Sequence, residues 1–292
     1  MPAFRSRTTD MMGETMGRVY RYLHRVTAPD RSDVDWFDFI EIGLAAFGFL
    51  LYFLVRGAVI DQTHDALEHA RWIVSMQSHF GFFVEPDINR WVVVHTPILQ
   101  LVNFVYFWFD FPLIILVGLV LFWRRRNSYT LLRDALLISG GFALIVYWSF
   151  PVAPPRYLKE WGFVDTLARF SHLAYQTQST RPFVNPFAAV PSLHVGWSLL
   201  LAVVVFDATR RWYWRLGAFS VLGLQALSVV ATANHFIFDG VMGMLVSLIA
   251  LAVAVWLQRR GYPALRGWFG RRAGLLGTEA GAGGRPAGGA SA

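Results

Sequence analysis

The chain has 292 residues, of which 55% are hydrophobic and only 15% charged, and its formal net charge is +7. Soluble proteins carry about 25% charged residues, so this composition excludes an ordinary soluble domain and indicates a membrane protein. The chain contains no cysteine, which excludes disulfides, thiolate metal sites and cysteine nucleophiles. We expect no cleavable signal peptide, because residues 1–35 are polar and basic and the first apolar run is too long.

Apolar runs long enough to cross a bilayer recur along the chain. They predict an all-α fold, a polytopic membrane bundle of about six transmembrane helices. The predicted spans are 36–55, 97–123, 134–151, 192–207, 215–233 and 236–257. The second is the least regular: residues 91–123 contain Pro97 and Pro112 and form either one kinked helix or a short dipping segment followed by a span.

The distribution of arginine predicts the orientation. Segments 1–35, 124–133, 208–215 and 258–292 hold most of the 26 basic residues, so the positive-inside rule places them, and both termini, in the cytoplasm. The charge is then an orientation signal, and no nucleic-acid binding is expected. Three regions follow: the basic segment 1–35, a membrane-embedded domain at 36–257, to which the motifs below assign catalysis, and a tail at 258–292 that is basic and then Gly/Ala-rich and disordered.

Under this topology, polar residues converge on the outer ends of the third to sixth spans. Ionisable groups in membrane spans are costly, and are functional candidates for that reason. The first group is the proline-rich stretch 150–157, which contains Arg156. A guanidinium at this position can bind phosphate oxygens in a bidentate manner. The alternative is an interfacial arginine that extends its charge to the membrane surface.

The second group, Ser192 and His194, opens the fourth span after Pro191. The free N–H groups and the dipole of a helix N-terminus favour anions, and the Ser192 hydroxyl can add a donor. A buried histidine with its hydrogen bonds satisfied by the core is the alternative.

The third group lies at the start of the sixth span. His235 and Asp239 are at positions i and i+4 and so share a helix face. The carboxylate can fix the tautomer of the imidazole and leave its other nitrogen free, unless the pair is only structural. Gly243 keeps the same face thin for close helix packing.

The three groups together indicate phosphoryl transfer. The arginine and the helix start would stabilise charge on the phosphoryl oxygens. One histidine would attack phosphorus and the other would protonate the leaving oxygen. This chemistry needs no metal and no cofactor.

These motifs resemble a known family. Pro191-Ser192-Leu193-His194, followed by His235-x-x-x-Asp239-x-x-x-Gly243, resembles the type 2 phosphatidic acid phosphatase superfamily. The prolines at 151–155 and the run 189–197 are similar to its inositol phosphorylceramide synthase-like branch. The resemblance implies that His235 is the nucleophile and forms a phosphohistidine, that Asp239 orients it, that His194 protonates the leaving group, and that Ser192 contacts phosphate.

The chain departs from the wider superfamily at three positions. Leu193 replaces a glycine, Val229 stands where an arginine is expected, and Ala174 stands where a lysine is expected. Arg156 and Arg181 are therefore the predicted phosphate-binding cations, with Arg156 preferred.

Two further polar clusters have open interpretations. One could hold a divalent cation or form a solvated helix face; its members are Asp61, His64, Asp65, Glu68 and His69. The other could line an acceptor pocket or only pack the bundle; its members are His95, Asn103, Tyr106 and Asp110.

The predicted protein is a lipid phosphatase or phosphotransferase of the inner or plasma membrane, with its active site on the extracytoplasmic side. It would transfer a phosphate-linked head group to or from a membrane lipid, with a polyol such as inositol as a possible acceptor. A polyprenyl-phosphate or phosphatidate phosphatase is the alternative reaction. A b-type haem protein and a non-catalytic transporter or assembly partner are alternatives of other classes.

Overall fold

The computed structural model describes residues 2–27, 35–57, 63–170 and 187–275. These residues form helices and loops with one isolated parallel β-bridge, between Val152 and Ala188, so the all-α class is confirmed. The helices are α1 (Pro2–Thr27), α2 (Trp36–Gly57), α3 (Thr63–His79), α4 (Glu85–Val94), α5 (Thr96–Trp108), α6 (Phe111–Arg124), α7 (Arg126–Ser149), α8 (Thr166–Phe170), α9 (Leu193–Ala208), α10 (Trp212–Ala231), α11 (Ile237–Trp256) and α12 (Tyr262–Arg272).

Among the described residues, three helical stretches are long and apolar enough to cross a membrane: α7, α10 and Ile237–Arg272. A fourth span results if α4 and α5, which are bent by 117° relative to each other, count as one. Helices α6 and α9 are apolar but shorter. The multi-pass membrane class is confirmed, whereas six spans and the cytoplasmic termini stay predictions.

The predicted second span, 97–123, is not one kinked helix. The chain breaks at Phe109 and Asp110, and α5 and α6 are separate helices. The two prolines explain why the single-helix interpretation is wrong. Pro97 and Pro112 both lie in the first turn of a helix, where the missing N–H has no intrahelical partner to lose. Each proline therefore begins a helix instead of bending one.

The chain forms two compact units, Asp30–Val255 and Met1–Pro29 with Trp256–Ala292. In the larger unit, α9 is buried on most of its surface; its buried apolar residues include Leu193, Val195, Trp197, Leu200, Leu201 and Val204. This position at the centre of the helix bundle places its first turn, and with it His194, inside the protein. In the smaller unit, Arg266 donates to the Thr27 hydroxyl at 2.9 Å. The predicted disordered tail lies, from residue 276, outside the described residues.

Candidate active site

Backbone hydrogen bonds join the three polar groups that the sequence singles out. Val152 donates to the Phe187 carbonyl at 2.9 Å and accepts from Ala189 at 3.2 Å, so the proline-rich stretch runs beside the segment that leads into α9. Arg156 N–H donates to Ala233 O at 3.0 Å. These bonds satisfy buried backbone groups away from regular structure, and they fix three remote parts of the chain at one site.

A C-cap directs His235 into this site. Helix α10 ends in a Schellman motif, in which Ala233 donates to Val230 O and Asn234 donates to Val229 O, both at 3.0 Å. Ala233 has φ +56°, a left-handed conformation that costs an L-residue about 1–2 kcal/mol. The turn reverses the chain at once, so that His235 lies in the short link between α10 and α11.

His235 has a defined tautomer. Its Nδ1 lies 2.9 Å from the Ala189 carbonyl oxygen and 3.3 Å from Asp239 Oδ2. A carbonyl oxygen can only accept, so Nδ1 carries the proton and donates, and the neutral ring keeps its lone pair on Nε2. The predicted His235–Asp239 contact is present in the structure, but the prediction that both residues share a helix face is wrong, because His235 precedes α11. The Ala189 carbonyl adds a second acceptor that the sequence did not indicate.

Two carboxylates cap the start of α11. Asp239 Oδ2 accepts the Phe236 N–H at 2.9 Å, and Glu85 Oε1 accepts the Ile237 N–H at 3.0 Å and a hydrogen bond from Gln77. Anionic oxygens at a helix N-terminus satisfy its free N–H groups and interact favourably with the dipole. Glu85 is fully buried. Sequence reasoning missed it, because its partner Ile237 is 152 residues away and no local pattern links them.

His194 lies beside His235. Their ring centroids are 5.7 Å apart. The His194 ring stacks on Tyr106 at 4.5 Å, and its Nε2 is 3.3 Å from Asp110 Oδ2. Each histidine thus faces a carboxylate of its own. The break between α5 and α6 makes this contact, since Asp110 occupies the N-cap position of α6.

The predicted acceptor-pocket residues divide into two pairs. Tyr106 and Asp110 reach the site through His194. Asn103 instead exchanges hydrogen bonds with Thr166, and His95 is exposed, with its Nδ1 2.7 Å from Trp91 O. The first pair therefore belongs to the site, whereas Asn103 packs the bundle.

A small cavity brings the two histidines together. Its lining combines both rings with one carboxylate and several apolar and aromatic side chains. The lining residues are Tyr52, Asp110, Phe111, Tyr147, Ala188, Leu193, His194, Trp197 and His235. Its open volume is ≈ 10 Å³, about that of one water molecule, so a phosphate group requires the side chains around it to move apart.

Close packing at Gly243 holds α11 against the start of α9. A Cβ at residue 243 would lie 2.0 Å from the Ser192 carbonyl oxygen, which is backbone and cannot move aside. Ser192 N–H donates to Asp239 O at 2.9 Å across the same contact. The prediction that Gly243 allows close helix packing is therefore confirmed. This packing brings the Ser192–His194 and His235–Asp239 motifs together.

The three residues predicted to bind phosphate have different positions. Ser192 is fully buried, and within the described part of the chain its hydroxyl has no hydrogen-bond partner. The Arg156 guanidinium donates to Asn234 Oδ1, and its Nε is 3.5 Å from Asp165 Oδ2, so it lies next to the residue that precedes His235. Arg181 lies outside the described residues. Their roles stay predictions.

The cluster considered for a divalent cation is exposed. Ligand atoms of His64, Asp65 and Glu68 lie within 4.8 Å of one another on the surface. Asp61 is outside the described residues. His69 belongs to a different environment, since its Nδ1 is 2.8 Å from Pro151 O and its ring stacks on Phe150 at 3.9 Å.

Comparisons with known proteins agree with this site. Residues 71–253 match the family model of the PAP2 superfamily. The chain is 32% identical over 164 residues to the phosphoinositol dihydroceramide synthase of Bacteroides thetaiotaomicron, a match that covers 50% of each chain. It is 28% identical over 188 residues to the inositol phosphorylceramide synthase catalytic subunit aur1 of Schizosaccharomyces pombe, covering 59% of this chain and 41% of that protein.

The matched regions thus span about half the length of these curated relatives or less. No solved structure matches the chain at a significant level. The family match covers more than half of the chain and includes both histidines of the site and their carboxylate partners. The chain belongs to the PAP2 superfamily, and it is a membrane enzyme of that family, distantly similar to inositol phosphorylceramide synthases.

Proposed function

We propose that this enzyme transfers a phosphate-linked head group between a membrane lipid and an alcohol, through a phosphohistidine on His235. The observation that carries the proposal is a pair of histidines that line one cavity. Their ring centroids are 5.7 Å apart, and each ring lies beside its own carboxylate. One nucleophile and one proton donor on either side of a phosphorus atom are what a two-step displacement needs.

In the first step, the lone pair on His235 Nε2 attacks phosphorus. The N–P bond forms as the P–O bond to the leaving alcohol breaks, and the His194 imidazolium gives its proton to the departing oxygen. Asp239 and the Ala189 carbonyl hold the Nδ1 proton, so the positive charge that develops on the His235 ring is stabilised where it forms. Asp110 has the same effect on the imidazolium of His194.

In the second step, the neutral His194 ring accepts the proton of the acceptor hydroxyl. The acceptor oxygen attacks phosphorus, the N–P bond breaks, and both histidines return to their starting states. Water as the acceptor gives a phosphatase and an alcohol gives a transferase. The transferase is favoured because both curated relatives are named as synthases of inositol phosphate-containing ceramide lipids.

The phosphate ligands in this proposal are Arg156 and Ser192, with Arg181 as the other candidate cation. Ser192 has a buried hydroxyl without a partner in the described structure, and an unpaired buried donor costs about 1–3 kcal/mol. A phosphoryl oxygen would satisfy it. The proposed site is at the extracytoplasmic side, as the arginine distribution predicts.

The test is a transfer assay on the purified full chain in lipid vesicles. Phosphatidylinositol, phosphatidate and a polyprenyl phosphate are supplied separately, with and without inositol or ceramide as the acceptor. A His235→Ala variant is the negative control, and His64→Ala, at an exposed histidine, is the matched positive control.

A new phosphodiester lipid that forms only with an acceptor, and that is lost in His235→Ala alone, supports the transferase. Free phosphate without an acceptor makes the protein a phosphatase. Full activity in His235→Ala overturns the assignment of the nucleophile, and no turnover of any of these lipids overturns the proposed substrate class.

A further inference from the structure

An apolar groove lies beside the candidate active site, between α2, α6 and α7. Its volume is ≈ 480 Å³. Small residues at Ala45, Ala46 and Gly118 hollow out its surface, and larger apolar side chains form its walls. Several of these larger side chains are exposed, among them Ile115 and Leu50, so the groove is open along one side.

The groove continues toward the catalytic cavity. Phe111 lines both spaces. Its ring is 5.4 Å from Trp197, which lines the cavity, and 6.3 Å from Phe49, which lines the groove. Phe111 is therefore the side chain at which the two spaces meet, with Phe49 on the groove side and Trp197 on the cavity side.

Charged residues lie at the other end of the groove. Arg133 lines it there together with Tyr129. The guanidinium of Arg133 contacts the carboxylates of Glu41 and Asp134, and Arg126 pairs with Asp38 at 2.9 Å. This buried ionic cluster ties α2 to α7. The groove is thus apolar along its length and ends at fixed charges.

The groove extends along most of α6. Its α6 wall runs from Phe111 to Phe122, which corresponds to about 16 Å at 1.5 Å per residue. One lipid chain spans about half of the ~30 Å hydrocarbon core of a bilayer, so the groove is long enough to hold one chain. A lipid chain whose head group enters the cavity past Phe111 could therefore lie in it along its whole length.

We propose that this groove binds one hydrocarbon chain of the lipid whose head group reacts at His235. The inference rests on the proposed function for the identity of the lipid. The groove is selective for long chains because burial of apolar surface along its length, and not a polar contact, supplies the free energy of binding.

Gly118 gives the sharpest test. A Cβ at residue 118 meets no atom within 4 Å, so a larger side chain can begin there in open space and occupy part of the groove. The variants are Gly118→Leu and Ala46→Leu. Gly141→Leu is the matched control, since Gly141 lies on α7, is absent from the groove lining and is equally unobstructed.

We expect both groove variants to raise KM for a long-chain phosphatidylinositol by at least about tenfold, and to leave turnover of its dihexanoyl analogue unchanged. Gly141→Leu should match the parent protein on both substrates. Equal effects on long and short chains, or equal effects of the control, overturn the inference.

A binding measurement separates this inference from the proposed function. Phosphatidylinositol with a diazirine at the middle of one acyl chain is photolysed in vesicles with the parent protein, with Gly118→Leu and with His235→Ala. Cross-links on α2, α6 and α7 that Gly118→Leu removes and His235→Ala keeps support the groove even if no lipid turns over. Cross-links spread over all lipid-facing helices overturn it even if turnover is observed.

Discussion

Asp110 Oδ2 lies 3.3 Å from Nε2 of His194, so the second histidine of the site has a carboxylate partner just as His235 has Asp239. This contact can stabilise the imidazolium form of His194 that the proposed first step requires. It also explains why an acidic side chain is buried at the break between two apolar helices, where an unpaired charge would be costly.

For this reason, Asp110→Asn should lower kcat by about 10²-fold while the protein stays folded. The amide keeps the shape of the side chain but cannot stabilise an imidazolium. The measurement is steady-state transfer, with the thermal unfolding midpoint in detergent as the control. Asp110→Glu should recover part of the rate. Unchanged kcat in Asp110→Asn would show that the contact is only structural.

Asp239→Asn should reduce turnover by about 10³-fold or more. The substituted amide would still accept the Phe236 N–H through its oxygen, but it would no longer stabilise the charge that develops on the His235 ring. Asp87→Asn, at an exposed carboxylate, is the matched control and should retain full activity. Acid-quenched samples with a labelled head group should contain phosphohistidine in the control and little in Asp239→Asn. Normal labelling in Asp239→Asn would contradict the role of the carboxylate.

Loss of Glu85 should affect both stability and rate. Glu85→Ala leaves the Ile237 N–H and the Gln77 amide buried without their acceptor, which costs about 2 kcal/mol or more. Because Ile237 begins the helix that carries Asp239, kcat should fall as well. Glu68→Ala removes an exposed glutamate and should change neither. Thermal unfolding and transfer rates measure the two effects, and a Glu85→Ala protein as stable as the control would refute the capping role.

Gly243→Ala should prevent α11 from packing on the start of α9. Its new Cβ would fall 2.0 Å from the Ser192 carbonyl oxygen, and relief requires a backbone shift that costs about 3 kcal/mol or more. Gly223→Ala, at a position with open space around it, should instead stabilise α10 by up to about 1 kcal/mol. The yield of folded protein and its unfolding midpoint test the pair. Equal stability of the two variants would contradict the close contact.

The phosphate-binding arginine can be identified by paired substitutions. Lysine keeps the charge but cannot bind a phosphoryl group in a bidentate manner. We expect Arg156→Lys to lower kcat/KM by about 10- to 100-fold and Arg181→Lys to have little effect. The opposite pattern would assign phosphate binding to Arg181, and two neutral substitutions would exclude both side chains. Substrate titrations on each variant give the measurement.

The sequence by itself determined the class of the protein and the main groups of its site. Apolar runs and the scarcity of charge predict a helical membrane protein, because bilayer thickness sets helix length. The spacing of His235 and Asp239 predicts that they meet, and they do, although the contact crosses the start of α11 and does not lie on one helix face, because His235 precedes the helix. Gly243 continues the same periodicity. These features depend on local geometry, which a sequence specifies directly.

Only the tertiary structure decided what surrounds those groups. Asp110 and Tyr106 contact His194 because the chain breaks between α5 and α6. From the sequence alone, the two prolines in this region are equally compatible with one continuous, kinked helix. Glu85 caps a helix that begins 152 residues later, and the Ala189 carbonyl that fixes the His235 tautomer comes from a loop. Such contacts depend on how separate helices pack, and helix packing is determined by all the side chains at an interface together, so no single stretch of sequence encodes it.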